Sequence, residues 1–383
     1  MNVIFFTILL ATTTFLSCIT GFNFSPFLSS AQAGNYGYVN KKGLLVIKPQ
    51  FSEVQNFSQG LAAVKVGDNW GYIDKTGKVV IKPQYSEVFS FSQGLAAVKI
   101  DNKWGYIDKT GKVVVKPQYS ETYGFFEGLA AVRIGDNWGY INKTGRIVIK
   151  PQFGSAYSFS EGLAIVDNWG YINKFGKQSI QIELDDSLNS DRKIIDVKDF
   201  SQGLAAVEIG GGGTCGPVLC VYGYIDETGK MMIEPQFFEA MEFSEGLAAV
   251  ATYGDTGGAD VEEWGYINKR GKLVIKAIFS AANSFCEGLA AVEIGRKNVY
   301  TEESGETLRT EIAGKWGYID GTGKQVISPQ FDLANSFSEG LAAVKVKDKC
   351  GYINKIGKAV VKRRFSACAD FSEGLAAVKT LAQ

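Results

Sequence analysis

The chain of 383 residues contains no histidine, which limits the chemistry that it could perform. Histidine is the usual general base at neutral pH, a common activator of Ser and Cys nucleophiles and the commonest metal ligand. A second candidate for acid–base catalysis is the acidic residue that recurs before a Gly-Leu-Ala motif. However, Glu127 in one copy of this motif corresponds to Gln93 in another. Because glutamine cannot transfer a proton, this position is predicted either to form a hydrogen bond or to lie on a hydrated surface. We therefore expect no enzymatic activity, no catalytic residue and no cofactor.

Cysteine could contribute a structural bond. Cys215 and Cys220 lie in one glycine-rich loop, and in an oxidising compartment they are predicted to close a small disulfide ring. A zinc site would need more ligands at shorter paired spacings and usually includes histidine, so we expect no bound metal.

Aromatic side chains could bind a ligand by stacking, and here they recur at fixed positions. All six tryptophans occupy one equivalent position: Trp70, Trp104, Trp138, Trp169, Trp264 and Trp316. Nine tyrosines, among them Tyr72, Tyr106 and Tyr140, occupy the site two residues later. Such rings could form slots for sugars or a quaternary ammonium group. Rings that recur in every copy are first explained as a core shared between units, and we favour that interpretation.

The positions of these rings follow from a repeat of 34 residues. A tripeptide x-G-Y, with x usually Trp, occurs nine times, beginning at Tyr36, Trp70, Trp104, Trp138, Trp169, Tyr222, Trp264, Trp316 and Cys350. In the copy that begins at Trp70, an aromatic strand is followed by a tight turn from Asp74 to Gly77. The return strand after this turn is predicted to stop at Pro83. An irregular link precedes a third strand, Leu-Ala-Ala-Val, that begins at Leu95.

A unit of this size cannot bury enough apolar surface alone, so the copies must stack and share a core. The sequence predicts an all-β tandem array of about nine three-stranded antiparallel units, forming a single domain over residues 34–383. Three strands per unit favour an open superhelical β-solenoid, and a closed propeller-like ring is the alternative.

The first 33 residues have the features of an export signal. No charged side chain precedes Lys41, the segment is mostly apolar, and Ala31-Gln32-Ala33 has the small-x-small form that signal peptidase cleaves. We predict a signal peptide over residues 1–33 and a periplasmic or extracellular protein whose mature chain does not insert into a membrane. A lipoprotein attached at Cys18 and an uncleaved N-terminal anchor are less favoured alternatives.

Net charge disfavours one class of partner. Lys and Arg together number 40, as do Asp and Glu, so the formal net charge is zero and no overall field would attract nucleic acid or anionic lipid. We expect no nucleic-acid partner.

Insertions indicate where function could lie. The junction that follows Ala-Val is expanded at residues 208–221, 251–263 and 293–315, and a fourth insertion near 181–199 lies elsewhere in its copy. Equivalent junctions of a stack project from one edge. The main hypothesis is a scaffold that binds a protein or an envelope component through this edge of long loops. The alternative is binding of a glycan or the cell wall through aromatic slots.

The recurring motifs W-G-Y-I-[DN]-K-x-G-K, K-P-Q-[FY] and F-S-[EQ]-G-L-A-A-V carry a family resemblance. Over Tyr36 to Val378 the chain resembles the bacterial WG repeat family, also called KWG repeats. This resemblance implies a β-rich repeat array without catalytic residues, and a more distant similarity to cell-wall-binding repeats that hold choline between rings. Copy five lacks K-P-Q-[FY], copy seven has Ala277-Ile278-Phe279 and copy nine has Arg363-Arg364-Phe365, so regular packing is least expected there.

Overall fold

The computed structural model describes residues 35–167, 170–180, 192–211, 220–253, 262–295, 297–303 and 306–380, and every regular element in them is a β-strand. The strands of the first four copies are β1 (Tyr36–Asn40), β2 (Leu45–Phe51), β3 (Glu53–Val54), β4 (Leu61–Val66), β5 (Asn69–Asp74), β6 (Val79–Tyr85), β7 (Glu87–Val88), β8 (Leu95–Ile100), β9 (Lys103–Asp108), β10 (Val113–Tyr119), β11 (Leu129–Ile134), β12 (Asn137–Asn142), β13 (Ile147–Phe153) and β14 (Leu163–Val166). Those that follow are β15 (Gly170–Asn173), β16 (Gln178–Ile180), β17 (Arg192–Val197), β18 (Leu204–Gly211), β19 (Cys220–Asp226), β20 (Met231–Phe237), β21 (Glu239–Ala240), β22 (Leu247–Tyr253), β23 (Glu262–Asn268), β24 (Leu273–Phe279), β25 (Ala281–Ala282), β26 (Leu289–Ile294), β27 (Lys297–Glu303), β28 (Glu306–Ile312), β29 (Lys315–Asp320), β30 (Gln325–Phe331), β31 (Leu333–Ala334), β32 (Leu341–Val346), β33 (Lys349–Asn354), β34 (Ala359–Cys368) and β35 (Leu375–Thr380).

The repeated sheet, which we call a blade, has four strands where three were predicted. In the order β3-β4-β5-β6, the short β3 pairs with β4 through Glu53 opposite Lys65 and Val54 opposite Val64. This two-residue strand lies in the segment that the sequence pattern predicted as an irregular link. Each sequence copy is therefore divided between two sheets: its aromatic hairpin belongs to one blade, and its short strand and Leu-Ala strand belong to the next.

Nine blades result, numbered by the copy that supplies the x-G-Y strand. Blades 2, 3, 6, 7 and 8 are four-stranded sheets, and blades 9 and 1 share a seven-stranded sheet. Blades 4 and 5 are three-stranded because their short strand is reduced to single bridges, Thr122 with Val132 and Ala156 with Val166.

Blade 1 is built from both ends of the chain. Strand β1 pairs with β35 along its full length, from Tyr36 opposite Lys379 to Asn40 opposite Leu375. Within the described residues the hydrophobic core consists of nine clusters, each shared by two neighbouring blades. Two of these clusters join blade 1 to blades 9 and 2. The all-β array of nine units is confirmed, and no sheet of the described residues closes into a barrel. The pairing of β1 with β35 corrects the preference for an open solenoid and selects the closed propeller-like ring, since an open stack would keep the first and last units apart.

The glycine of W-G-Y allows two strands to approach closely. A Cβ on Gly71 would lie 2.5 Å from the carbonyl oxygen of Ile81 and 2.6 Å from the nitrogen of Pro83. Here the pairing of β5 with β6 jumps from Trp70 opposite Tyr85 to Tyr72 opposite Ile81, which is a β-bulge. Pro83 lies within this bulge, where its missing N–H costs no ladder bond, so the return strand continues to Tyr85 where it was predicted to stop.

No helix in the described part of the chain is long and apolar enough to cross a membrane. The predicted signal segment, residues 1–33, lies outside the described residues.

Candidate functional site

The repeated tyrosine joins each blade to the next. Tyr72 in blade 2 is fully buried, its hydroxyl donates to the carbonyl oxygen of Phe89 in blade 3, and its ring packs at 4.9 Å against Phe91. A buried hydroxyl with a partner avoids the cost of an unsatisfied polar group, and the edge-on ring pair adds to the burial. This combination of a tyrosine, a phenylalanine and a carbonyl group forms a latch between blades.

All nine junctions contain this latch, with ring centroids 4.7–5.0 Å apart. Its tyrosines are Tyr38, Tyr72, Tyr106, Tyr140, Tyr171, Tyr224, Tyr266, Tyr318 and Tyr352, and each hydroxyl donates to a backbone carbonyl at 2.6–2.8 Å. Because Tyr72, Tyr106 and Tyr140 are at most 1% exposed, their rings cannot stack with a ligand. They are core residues.

The tryptophans are less uniform. Trp104 and Trp138 are buried, Trp70, Trp264 and Trp316 are half-buried, and Trp169 lies outside the described residues. The half-buried ring of Trp70 packs against a core cluster, and Lys65 lies over it at 5.8 Å from the centroid. The predicted aromatic slots therefore receive no support from the buried tyrosines and little from the tryptophans.

The alternating Glu and Gln position forms a ring of hydrogen bonds, and a hydrogen bond was one of the two roles predicted for it. The backbone N–H of Gly94 donates to Gln59, and that of Gly60 donates to Glu373 in the last copy. The same bond, at 2.8–3.0 Å, joins all nine pairs of neighbouring blades: Gln59 with Gly94, Gln93 with Gly128, Glu127 with Gly162, Glu161 with Gly203, Gln202 with Gly246, Glu245 with Gly288, Glu287 with Gly340, Glu339 with Gly374 and Glu373 with Gly60. An amide oxygen and a carboxylate oxygen can both accept this bond, which explains the interchange of the two residues.

The turns that carry this ring require an unusual backbone. Gln59 and Gly60 both have positive φ, 55° and 90°, and the flanking Ser58 and Leu61 exchange backbone hydrogen bonds. This is the geometry of a type I′ hairpin turn. Because equivalent groups of all nine blades meet here directly, we infer that the short strands and their turns lie at the inner side of the ring.

Two faces follow from the meander. The turns between the first and second and between the third and fourth strands of a blade lie at one face, and the connection between the second and third strands lies at the other. The three predicted insertions all occur at that second connection, in blades 6, 7 and 8. We call this side of those three blades the long-loop face.

The insertions extend the hairpins. A regular hairpin ends at Val66 opposite Asn69, whereas β22 and β23 remain paired to Tyr253 opposite Glu262. Between β26 and β29 the chain forms an additional two-stranded ribbon, β27 with β28, at the insertion that was predicted as a loop. Residues 212–219 and 254–261, and residues 181–191 of the fourth insertion, lie outside the described residues.

The long-loop face also differs in charge. In blades 2 and 3 a lysine lies over the tryptophan ring and pairs with a glutamate across the strands, as Lys65 does with Glu53 at 2.6 Å. Blades 6 and 8 have Glu208 and Glu293 at this position. In blade 6 the residue opposite Glu208 is Asp196, and the pKa of Glu208 is raised by burial and by this neighbouring carboxylate.

Two further acidic side chains lie on neighbouring blades directly before the latch phenylalanines. The pKa of Asp199 is raised to about 7 because its carboxyl group is desolvated and Glu242 of the next blade adds a like charge. Ionised Asp199 therefore costs free energy in the folded ring at neutral pH.

Replacing Asp199 by Asn is expected to stabilise the ring above pH 7, by roughly 2 kcal/mol once solvent screening of a partly exposed group is allowed for. The sign follows from the raised pKa in the folded state. The stability contribution of Asp199 is complete below the unfolded pKa of about 3.8 and is lost as the pH rises through 7. Urea unfolding at pH 4, 6 and 8 would therefore show equal stability at pH 4 and a growing advantage of the variant at higher pH.

Asp74→Asn is the control, since the pKa of Asp74 is lowered by the hydrogen bond from Thr76. The stability that the Asp74 carboxylate contributes is present above its pKa in the unfolded chain. This stability is lost as the pH falls through its lower pKa in the folded ring. An Asp199→Asn effect that did not change between pH 4 and pH 8 would contradict the assignment.

A disulfide bond that the sequence did not predict links two neighbouring blades of the described chain. Cys350, at the position of the repeated tryptophan in blade 9, forms a disulfide with Cys368, which pairs with β35 in blade 1. The bond joins the blade that closes the ring to its neighbour. Cys215 lies outside the described residues, so the predicted bond between Cys215 and Cys220 remains a prediction.

No group of three or more Cys, Asp or Glu side chains in the described part of the chain could hold a metal ion. The recurring polar positions serve the junctions between blades.

The fold and the junctions define a class of protein, a closed ring of β-meander blades joined by a repeated aromatic latch. The family described as WG containing repeat matches nine consecutive segments: residues 36–70, 70–104, 104–138, 138–168, 169–212, 222–254, 264–297, 316–350 and 351–380. The chain belongs to this family.

No curated protein was found to match the chain. Among solved structures, Hsv2 of Kluyvelomyces marxianus is similar at a TM-score of 0.36 and 14% identity, covering 73% of this chain and 97% of that chain. The biofilm matrix protein Bap1 of V. cholerae has a TM-score of 0.31 and 9% identity, covering 94% of this chain and 90% of that chain. Similarity at this level does not define a function.

Proposed function

We propose that this WG repeat protein is an exported, non-enzymatic scaffold that binds a protein or a component of the cell envelope through its long-loop face. The observation that carries the proposal is the position of the three insertions. In three consecutive blades, 6, 7 and 8, they extend the connection between the second and third strands, so all three lie on the same face. Loops that lengthen by drift would have no reason to fall on neighbouring blades at the same end.

The rest of the ring supports a scaffold role. Its repeated polar groups are used in the junctions: the tyrosine hydroxyls bond to carbonyl groups and the Glu or Gln side chains accept from glycine N–H groups. A framework held by nine equivalent junctions presents its loops on a rigid base, which lowers the entropic cost of binding.

Shortening the long hairpins is expected to abolish binding while leaving the ring folded. In this variant the three insertions are replaced by the turn of a regular blade, Gly67-Asp68-Asn69. Capture of partners from envelope extracts by the immobilised chain should fall at least about tenfold if the loops supply the central contacts, since such contacts carry most of the binding energy. Circular dichroism and the unfolding midpoint should remain those of the unaltered ring.

The matched control lengthens the regular turns of blades 2, 3 and 4 on the same face by a Gly-Ser insertion, and it should bind like the unaltered chain. If the shortened ring is folded and captures the same partners equally well, the long-loop face is not the binding surface.

A further inference from the structure

The net charge of zero conceals a strong separation of charge around the ring. Residues 169–315 contain 14 Lys and Arg against 23 Asp and Glu, whereas residues 34–168 contain 16 against 11 and residues 316–383 contain 10 against 6. The acidic sector contains most of blades 5 to 7 and the insertions up to blade 8. In a ring of nine blades, the blades opposite this sector are blades 1 and 2, so the molecule has a basic side and an acidic side.

The basic side also exposes apolar side chains in a regular pattern. The outermost strands of blades 1 to 4, which are β2, β6, β10 and β13, form the free edges of their sheets. Each has two adjacent apolar residues that are 37–46% exposed: Leu45 and Val46, Val79 and Val80, Val113 and Val114, and Ile147 and Val148. Exposed basic residues lie on both sides of each pair in the chain: Lys42 and Lys48, Lys78 and Lys82, Lys112 and Lys116, and Arg146 and Lys150.

The fold does not require this pattern. Lysines on an edge strand prevent pairing with other sheets, and that accounts for some of them. However, the same two positions are Gln178 and Ser179 in blade 5, and the position of Lys82 is occupied by Glu234 in blade 6 and Ser328 in blade 8. Polar and acidic residues are therefore compatible with this strand. Four consecutive blades that combine exposed pairs of aliphatic side chains with flanking cations form a surface that needs a separate explanation.

We propose that the outer strands of blades 1 to 4 bind the surface of an anionic phospholipid bilayer. Charge complementarity selects this occupant, since phosphate headgroups match the lysines, and the acyl boundary beneath them matches the apolar pairs. A soluble polyanion would match only the lysines. On an anionic surface the separated charges also orient the ring, with the basic edge toward the lipid and the acidic sector, including blades 6 and 7, pointing away. This proposal does not depend on the partner proposed for the long-loop face.

Vesicle sedimentation tests the proposal with the chain that begins at residue 34. Binding is expected to vesicles of mixed phosphatidylglycerol and phosphatidylcholine, and not to vesicles of phosphatidylcholine alone. Replacing Lys78, Lys82, Lys112 and Lys116 by Gln should weaken binding at least fiftyfold, because each basic residue near an anionic surface contributes a factor of about five. All four side chains are exposed, so the ring should remain folded.

The matched control changes the same number of exposed lysines on outer strands or their turns in the opposite sector: Lys230, Lys272, Lys276 and Lys324 to Gln. It alters the net charge by the same amount as the test variant. Blade 7 also has the same pattern of two lysines around an aliphatic run as blade 2, Lys272-Leu273-Val274-Ile275-Lys276. The proposal predicts that this control binds within about threefold of the unaltered chain, since less than one kcal/mol should be lost at distant lysines. Equal weakening of both variants would show attraction by net charge alone and would overturn the proposed surface.

The apolar contribution is tested separately. Replacing Val79, Val80, Val113 and Val114 by Ser should weaken binding about tenfold or more, because part of each exposed side chain leaves water on binding. No effect of these substitutions, or complete release of the chain from vesicles by soluble polyphosphate, would identify a polyanion site and overturn bilayer binding. Absence of binding to anionic vesicles would overturn the proposal outright.

Discussion

Removal of the first strand, residues 34–40, is expected to destroy the cooperative unfolding of the whole ring. Strand β1 is a central strand of blade 1, where it pairs with β2 on one side and β35 on the other. It also supplies Tyr38, which is fully buried and donates to the carbonyl oxygen of Gln55 in blade 2. Loss of one buried aromatic side chain typically costs about 3–5 kcal/mol. Loss of the strand should therefore exceed the free energy of unfolding available to a typical domain, about 5–15 kcal/mol.

Urea unfolding followed by tyrosine and tryptophan fluorescence measures this effect. The truncated chain should unfold at low denaturant with a broad transition, and limited proteolysis should cut residues 359–380 first, because β35 has lost its partner. In an open solenoid the first strand would cap only one end, and its removal would leave the last copy protected.

A circular permutant provides the control. The ends of the described chain meet in one sheet, with Tyr36 opposite Lys379, at the place where other blades have a short turn. Joining Thr380 to Tyr36 through Gly-Asp-Asn and opening the chain between Asp101 and Asn102 keeps every strand pair. This permutant should remain within about 1–2 kcal/mol of the unaltered ring, because only a surface turn has moved. If the permutant cannot fold while the truncated chain keeps full stability, the closed ring is wrong.

The sequence predicted a core of recurring rings shared between units, but it favoured an open array over a closed one. The tyrosine, the phenylalanine and the Glu or Gln recur in register, so their role at every junction can be inferred from one copy. Whether the ninth copy meets the first depends on small rotations between units that add up over the array, and no single motif records them. The division of each copy between two blades could not be predicted from the sequence either, because the short strand Glu53–Val54 is too brief to show an alternating pattern.

The disulfide between Cys350 and Cys368 illustrates the same limit. The two residues are 18 positions apart and replace apolar residues of the regular copy, so neither spacing nor loop composition marks them as a pair. They become neighbours only when the Leu-Ala strand of copy nine is assigned to blade 1. The balance of charge was misleading for a related reason: equal totals in the sequence say nothing about a fold that places acidic and basic copies on opposite sides.

Replacement of Gly71 by Ala is expected to lower the free energy of unfolding by about 3 kcal/mol or more. The new methyl group would lie 2.5 Å from the carbonyl oxygen of Ile81, which is backbone and cannot rotate away. The bulge in β6 would have to open, and Tyr72 in the adjacent position would lose its alignment with the next blade. Urea unfolding measures the loss.

Gly170→Ala is the matched control, since Gly170 holds the same position in copy five. Among the described residues, the nearest atom to a Cβ added at Gly170 is the carbonyl oxygen of Val166, at an ordinary 3.5 Å. An alanine at Gly170 should change the free energy of unfolding by less than about 1 kcal/mol, because the described backbone nearest to it lies at ordinary contact distance and the alanine reduces the entropy of the unfolded chain. Equal losses at the two positions would mean that the glycine serves strand flexibility in general. A loss confined to Gly71 would assign the glycine of the W-G-Y motif to the close approach of two strands at a bulge.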